Sequence, residues 1–179
     1  NRIHIRLSKT EDMRAVEERY GTVFPTENAD PRNFGIVVSN QSTTLTVRGS
    51  YLTFRDITFH QALRTIKLDP GAHDILFDGI TAWMGDSVIS AAASSIHHVS
   101  ILHSRLYGDW PQWIFWSDMK NPPAPADYMR GTSVSLSGGT TDWTIAYSHL
   151  RGSGQDLIGV NTDENNIVVH HNRLENCGD

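Results

Sequence analysis

Two aspartates and one lysine could carry out acid–base chemistry on a polymer laid across the protein. Asp86, Asp156 and Lys67 each lie in or beside a short apolar segment that is typical of a strand. A glycoside hydrolase needs two carboxyl groups about 5 to 9.5 Å apart. A lyase needs a base, such as Lys67, to remove the proton beside a uronate carboxylate, and a cation to neutralise that carboxylate. We therefore take Asp86 and Asp156 as the candidate acid pair and Lys67 as the candidate base.

A second group of chemically capable residues is crowded into one segment between about residues 108 and 132. It contains three of the five tryptophans, with a tyrosine and several charged residues: Trp110, Trp113, Trp116, Tyr128, Asp118, Lys120 and Arg130. Aromatic faces stack on the apolar faces of sugar rings, and charged groups bind hydroxyls or carboxylates. These seven residues are the candidate substrate-binding set. The alternative is that the tryptophans only pin the segment to the body of the protein.

The nine histidines raise the question of a bound metal. His97–His98 and His170–His171 are adjacent pairs on extended chain, where successive side chains point to opposite sides. We therefore expect that neither pair shares one ion, and we predict no metal site. Calcium, which needs only oxygen ligands, stays possible as a cofactor because acidic residues lie in candidate loops.

The elements that must position these residues form an internal repeat. Five three-residue segments have apolar residues at their first and third positions, as a strand with one buried face requires. They are Leu52–Phe54, Ile75–Phe77, Val99–Ile101, Trp143–Ile145 and Ile167–Val169. Their starts are 23, 24, 44 and 24 residues apart. The long interval contains an insertion of about 21 residues, and the register continues on both sides of it.

Other positions of the repeat also form columns. One column holds Ile57, Ile80, Ser104, Ser148 and Asn172, and we expect its last three members to form a polar stack at a tight turn. His103, Tyr147 and His171 occupy one equivalent position, and Arg105, His149 and Arg173 occupy another. We expect both sets to be ladders on the outside of the molecule or at a turn.

A period near 23 residues with three short strands per turn predicts an all-β, right-handed parallel β-helix. Leucine-rich repeats share the period but need a Leu-x-x-Leu-x-Leu frame that is absent here. A β-sandwich would place Asn-Gly or Asp-Gly turns between its strands, and Asp78-Gly79 falls inside a repeat instead. We predict one domain over 1–179, with a strand and helix region over 1–44 and regular coils over 45–179, interrupted at about 108–132.

One sheet of this helix would carry the candidate catalytic residues. It would contain Ile66–Leu68, Val88–Ala91, Ser133–Leu136 and Asp156–Val160. Alternation predicts that Thr65, Lys67, Ser90, Ser133, Ser135 and Asp156 point outward. Adjacent coils are about 4.8 Å apart, so Asp86 and Asp156 would be about two strand spacings apart.

Composition and charge exclude several classes of protein. The net charge of −5 gives no support for nucleic-acid binding, and no apolar run is long enough to span a membrane. Cys177 is the single cysteine, so no intrachain disulfide is possible. The chain begins without Met and both ends look cut, so we expect a fragment of a longer protein that is secreted, periplasmic or on the cell surface.

The repeats resemble those of right-handed β-helix proteins of the pectate-lyase-like superfamily, in particular its bacterial members without a settled activity. The resemblance rests on the runs at 45–59, 73–82 and 167–177. It implies a polysaccharide or oligosaccharide partner and a groove on one sheet face, but it carries over no catalytic motif. We expect a polysaccharide lyase or glycoside hydrolase, and the alternative is a non-catalytic glycan-binding or structural surface protein.

Overall fold

The computed structural model describes residues 42–60, 62–83, 85–108, 131–154, 156–161 and 163–177. The described residues all belong to one compact unit, Ser39–Asp179. They form five successive coils of a parallel β-helix, each built from three short strands, which confirms the predicted all-β solenoid. The strand and helix region expected over 1–44 lies outside the described residues as far as residue 41.

The three strands of every coil belong to three separate sheets. The first sheet contains β1 (Thr43–Val47), β4 (Arg64–Leu68), β7 (Ser87–Ala92), β10 (Thr132–Ser137) and β13 (Ile158–Val160). The second contains β2 (Leu52–Arg55), β5 (His73–Asp78), β8 (His97–Leu102), β11 (Thr141–Ala146) and β14 (Asn165–His170). The third contains β3 (Thr58–His60), β6 (Thr81–Trp83), β9 (Arg105–Tyr107), β12 (His149–Ser153) and β15 (Arg173–Cys177).

Equivalent residues of successive coils stack in the register that the repeat predicts. In the second sheet Ile75 pairs with Val99, Val99 with Trp143 and Trp143 with Ile167. The inward members of this column between the end coils are buried, because the three sheets enclose one apolar core. In the fourth coil this position is held by Trp143, whereas the other coils have smaller residues there. The indole nitrogen of Trp143 donates to Thr140 Oγ1 at 2.5 Å.

The turn between the second and third sheets carries the polar stack that the sequence predicts. The backbone amide of Ile80 donates to Ser104 Oγ at 3.2 Å, and that of Ser104 donates to Ser148 Oγ at 3.0 Å. The amide of Ser148 donates to Asn172 Oδ1 at 2.9 Å. Each side chain therefore satisfies a backbone donor of the preceding coil that would otherwise be buried without a partner.

Two of the residues expected to point outward from the first sheet are buried instead. Thr65 and Ser133 are both fully buried, so the simple alternation of faces is wrong at these positions. They follow the corner where the chain passes from the third sheet into the first, and Ser133 Oγ donates across that corner to the carbonyl of Leu106 at 3.1 Å. Protein therefore lies on both sides of the chain at the beginning of these strands.

The insertion begins and ends at two glycines that are in contact. β9 ends at Tyr107 and β10 begins at Thr132. A Cβ placed on Gly108 would overlap the carbonyl oxygen of Gly131, and Gly131 itself has φ +66°. Neither position accepts a larger residue at low cost. The chain thus leaves the coil and returns to it at nearly the same point.

Within the described residues, no helix is both long and apolar enough to cross a membrane.

Candidate functional site

The outer face of the third sheet presents two columns of polar and aromatic side chains. Strand pairing aligns Arg105 with His149 and His149 with Arg173 in one column. It aligns Tyr107 with Arg151 and Arg151 with Glu175 in the other. The column between them is Leu106, Leu150 and Leu174. In the third and fourth coils these leucines are buried, because their side chains point into the core. The expected ladder of Arg105, His149 and Arg173 is confirmed.

A chain of hydrogen bonds runs diagonally across these columns and links three successive coils. The hydroxyl of Tyr107 lies 3.2 Å from Nδ1 of His149. Nε2 of His149 lies 2.7 Å from Oε2 of Glu175. The side chains of His149 and Glu175 are 24% and 32% exposed, so the contacts are partly shielded from water but reachable from outside.

The donor and acceptor roles in this chain of hydrogen bonds are argued from Glu175. Hydrogen bonds from Arg173, and then from His149, hold the pKa of Glu175 below its ordinary value of 4.5. An ionised carboxylate only accepts hydrogen bonds, so Nε2 of His149 must carry the proton and donate it. In the neutral ring Nδ1 is then the acceptor, and the Tyr107 hydroxyl donates to it. The order Tyr107–His149–Glu175 is that of a hydroxyl, its base and the carboxylate that orients the base.

A cation lies against the ring of the same tyrosine. The guanidinium carbon of Arg151 is 4.2 Å from the centre of the Tyr107 ring, which is a cation–π contact. Arg105 is exposed two residues away on the same strand. Positive charge is therefore concentrated around the Tyr107 ring, where it could bind an anionic group and stabilise a phenolate.

Trp83 extends this face toward the first coil. It pairs with Tyr107 in the strand ladder, points outward and is 38% exposed. Its ring lies 5.5 Å from the ring of His60 on the neighbouring strand. Trp83 and Tyr107 thus form an aromatic strip that continues into the charged cluster, and the insertion begins directly after Tyr107. We call Trp83, Arg105, Tyr107, His149, Arg151, Arg173 and Glu175 the third-sheet face.

Sequence reasoning found only part of this face. It aligned Arg105, His149 and Arg173, but it did not single out Tyr107, Glu175 or Trp83. A signal was present, since Tyr107, Arg151 and Glu175 follow the aligned residues at two-residue spacing, which puts them on the same face of the strands.

Lys67, the candidate base of the first sheet, lies apart from this face. Lys67 pairs with Ser90, as expected, but its ammonium lies 2.6 Å from Asp69 Oδ1. It thereby neutralises Asp69, a carboxylate that also accepts from Arg48.

The structure does not place the candidate acid pair in one described groove. Asp156 is exposed and lines a cleft of about 460 Å³ at the last coil, together with Leu174 and Glu175. Asp86 and Lys67 do not line that cleft. The carbonyl of Asp86 accepts from the amide of Thr132 at 3.0 Å, next to the base of the insertion. A joint catalytic role of Asp86 and Asp156 stays a prediction.

The candidate substrate-binding residues all belong to the insertion and lie outside the described residues. This holds for Trp110, Trp113, Trp116, Asp118, Lys120, Tyr128 and Arg130. Their assignment to sugar binding stays a prediction. The described structure shows only where the insertion begins, which is directly after Tyr107 at the end of β9.

A second polar surface lies on the outside of the second sheet. It is a groove of about 700 Å³ with Asp74, His98, Asp142 and Asn166 along one wall and strand residues as its floor. Asp142 accepts from Asn166 Nδ2 at 2.6 Å and from Thr141 Oγ1 at 3.0 Å. These two hydrogen bonds, in that order, lower the pKa of Asp142 from its ordinary value of 3.8.

The expectation that adjacent histidines point to opposite sides is wrong. His98 has φ 53° and His171 has φ 53°, and this left-handed conformation turns each side chain back toward its neighbour. As a result the two Nδ1 atoms lie 2.7 Å apart in His97–His98 and 2.8 Å apart in His170–His171. The ladder of His103, Tyr147 and His171 is confirmed, with stacked rings 5.5 and 5.1 Å apart.

Among the described residues there is no group of three or more His, Cys, Asp or Glu side chains that could hold a metal ion. Comparison with known proteins gives no assignment: no family model, no curated protein and no solved structure matches this chain significantly.

Proposed function

We propose that the protein is a polysaccharide lyase that acts on uronate-containing chains at the third-sheet face. The observation that carries the proposal is the hydrogen-bonded order Tyr107–His149–Glu175 beside the guanidinium of Arg151. The resemblance of the repeats to those of pectate-lyase-like β-helix proteins supports it at the level of the fold, which by itself does not determine a reaction.

The proposed reaction is a β-elimination. His149 accepts the phenolic proton of Tyr107, and the phenolate removes the proton on the carbon beside the uronate carboxylate. The electron pair of that C–H bond forms a carbon–carbon double bond as the bond to the glycosidic oxygen breaks. The re-protonated Tyr107 then gives its proton to the departing oxygen, and His149 returns the first proton to the phenolate. Atoms and charges balance without a co-reactant.

Each neighbour of Tyr107 has a separate role in this proposal. The carboxylate of Glu175 orients His149 and stabilises the imidazolium that forms, as the third member of a catalytic triad does. Arg151, with Arg105, binds the uronate carboxylate and reduces its negative charge, which makes the adjacent proton more acidic. Trp83 stacks on a sugar ring of the same chain. His149 and Glu175 are positioning residues because they act through Tyr107.

Because the arginines can neutralise the uronate carboxylate, we propose that the reaction does not depend on calcium. Polysaccharides are mostly extracellular polymers, so the proposal includes a secreted, periplasmic or surface location.

A panel of purified polysaccharides tests the proposal. The full chain is incubated with several uronate polymers and several neutral glucans and mannans, with and without a chelator. We expect ultraviolet absorbance from the new double bond with at least one uronate polymer, unaffected by the chelator. Reducing ends without such absorbance would show hydrolysis and contradict the elimination. An absence of both signals with every polymer would remove the enzyme proposal.

A second candidate is glycan binding without cleavage, and the exposed Trp83 favours it because an aromatic platform needs no proton relay. Affinity electrophoresis in gels that contain the same polymers separates the two candidates. Retardation without product would support binding alone.

A further inference from the structure

The two imidazoles of His97 and His98 converge on one point above the second sheet. Their Nδ1 atoms are 2.7 Å apart, because the left-handed backbone of His98 brings adjacent side chains to the same side. The His98 side chain is 59% exposed, so the point of convergence is open to small solutes.

The spacing of the two nitrogens is that of neighbouring ligands on one metal ion. Metal–imidazole bonds of about 2.0 to 2.1 Å that meet at a right angle put the nitrogens about 2.9 Å apart, whereas tetrahedral bonds put them about 3.4 Å apart. The observed distance is that of a hydrogen bond between the two rings, and it is also close to the first value. Right-angled nitrogen and oxygen ligands are typical of Cu²⁺ and Ni²⁺ rather than of structural zinc.

The surroundings of the His97–His98 dyad include a carboxylate and a stacked ring. Asp142 Oδ2 lies 3.8 Å from Nε2 of His98, the ring nitrogen that faces away from His97, which is an ion-pair distance and too long for a hydrogen bond. Negative charge near this second nitrogen makes a metal-binding histidine more basic. The ring of His73 stacks on that of His97 with centres 4.9 Å apart and planes 9° apart.

The second dyad provides an internal comparison. His170 and His171 have the same spacing, with Nδ1 atoms 2.8 Å apart. Their rings pack against Tyr147, edge-on for His170 and stacked for His171. Aromatic contacts do not raise the basicity of a ring nitrogen as a carboxylate does.

We propose that His97 and His98 form a binding site for a divalent transition metal that prefers right-angled ligands, with Cu²⁺ as the best match. The two Nδ1 atoms bind the ion, and the charge of Asp142 makes His98 more basic. Water or an anionic ligand from the groove fills the remaining coordination positions. The site is independent of the proposed lyase activity, because it lies on a different sheet and takes no part in that reaction.

Titration of the full, tag-free chain with CuCl2, followed by calorimetry and electron paramagnetic resonance, tests the site. The repeat supplies substitutions that suit the backbone: Thr141 and Asn166 occupy positions equivalent to His97 and His98. The variants are therefore His97→Thr and His98→Asn. The matched control is His171→Asn, since asparagine also tolerates the left-handed conformation.

We expect one tight site whose resonance spectrum shows coupling to two imidazole nitrogens. His97→Thr and His98→Asn should each weaken it by at least about tenfold, and Asp142→Asn should weaken it by less than either, because the carboxylate acts on His98 through its charge alone. The control should leave it unchanged. The proposal would be overturned if the His97 and His98 variants bound Cu²⁺ as tightly as the unchanged protein does. An equal loss of affinity in the control would also overturn it. Circular dichroism confirms that each variant is folded.

Discussion

The hydroxyl of Tyr107 and Nδ1 of His149 lie 3.2 Å apart, although 42 residues separate them in the chain. The insertion accounts for about half of that separation, and the parallel register brings the two residues onto neighbouring strands. A segment of more than twenty residues can therefore be accommodated between them without disturbing their contact. The contact between Tyr107 and His149 therefore depends on the stacking of coils in the solenoid and not on the local sequence.

Substitution of Glu175 by glutamine tests the orienting role of the carboxylate. The amide keeps the size of the side chain but can donate to Nε2 and so favour the wrong tautomer of His149. We expect kcat to fall by about 10²- to 10⁴-fold with little change in KM. Glu164→Gln is the control, because Glu164 accepts from the amide of Gly139 at a distant corner. A rise in KM with unchanged kcat, or an equal fall in kcat for the control, would contradict the role.

Substitution of Trp83 by alanine tests the aromatic platform. Loss of one stacked sugar should raise KM about tenfold, which corresponds to about 1.4 kcal/mol. kcat should change little because Trp83 takes no part in proton transfer. Trp83→Phe keeps an apolar ring and should retain most of the affinity. Initial-rate kinetics measure both constants, and an unchanged KM in the alanine variant would remove Trp83 from the site.

Ser148→Ala tests the polar stack at the turn. The change leaves the buried backbone amide of Ser104 without its partner, whereas the carbonyl of Ala146 still accepts from the amide of His103 at 3.2 Å. We expect a loss of about 1 to 3 kcal/mol in the free energy of unfolding, measured by denaturant titration. Ser137→Ala is the control, because the described hydrogen bond of its hydroxyl is a long one of 3.5 Å to the carbonyl of Ala91. That change should cost less than about 0.5 kcal/mol; equal losses would contradict the stack.

The pH dependence of stability should report the ion pairs of Asp78. A hydrogen bond from His103, and the charge of Arg55, lower the pKa of Asp78 from its ordinary value of 3.8. A carboxyl whose pKa is lower in the folded than in the unfolded state stabilises the fold above the unfolded value. That stabilisation is lost as the pH falls through the folded value.

The melting temperature of Asp78→Asn, compared with that of the unchanged protein, measures this effect. The difference should be constant above about pH 5 and should shrink as the pH falls below 3.8. Asp156→Asn is the comparison, because Asp156 is exposed. A difference for Asp78→Asn that grows toward low pH would have the wrong sign.

The fold could be predicted because one pattern of apolar residues recurs in every coil. Apolar residues at first and third positions, as in Val99 and Ile101, recur in five coils, and the insertion leaves the register intact. The polar stack was predictable for the same reason. Burial of Thr65 and Ser133 was not, since it depends on how two sheets meet at a corner.

The third-sheet face and the histidine dyads depend on information that the repeat does not contain. The contact of Tyr107 with His149 is diagonal between strands, so a search for equivalent positions misses it. The dyads depend on a left-handed backbone at His98 and His171, which the pattern of apolar residues does not reveal.

The most direct test of the central claim is the elimination rate of Tyr107→Phe on the uronate polymer that the unchanged protein cleaves best. Phenylalanine keeps the ring and its contact with Arg151 but removes the hydroxyl that donates to His149. Tyr147→Phe is the matched control, since Tyr147 stacks between His103 and His171 away from this face. We predict that ultraviolet-absorbing product falls at least about 10²-fold for Tyr107→Phe, with binding retained, and is unchanged for the control. Elimination at the original rate in Tyr107→Phe would contradict the account.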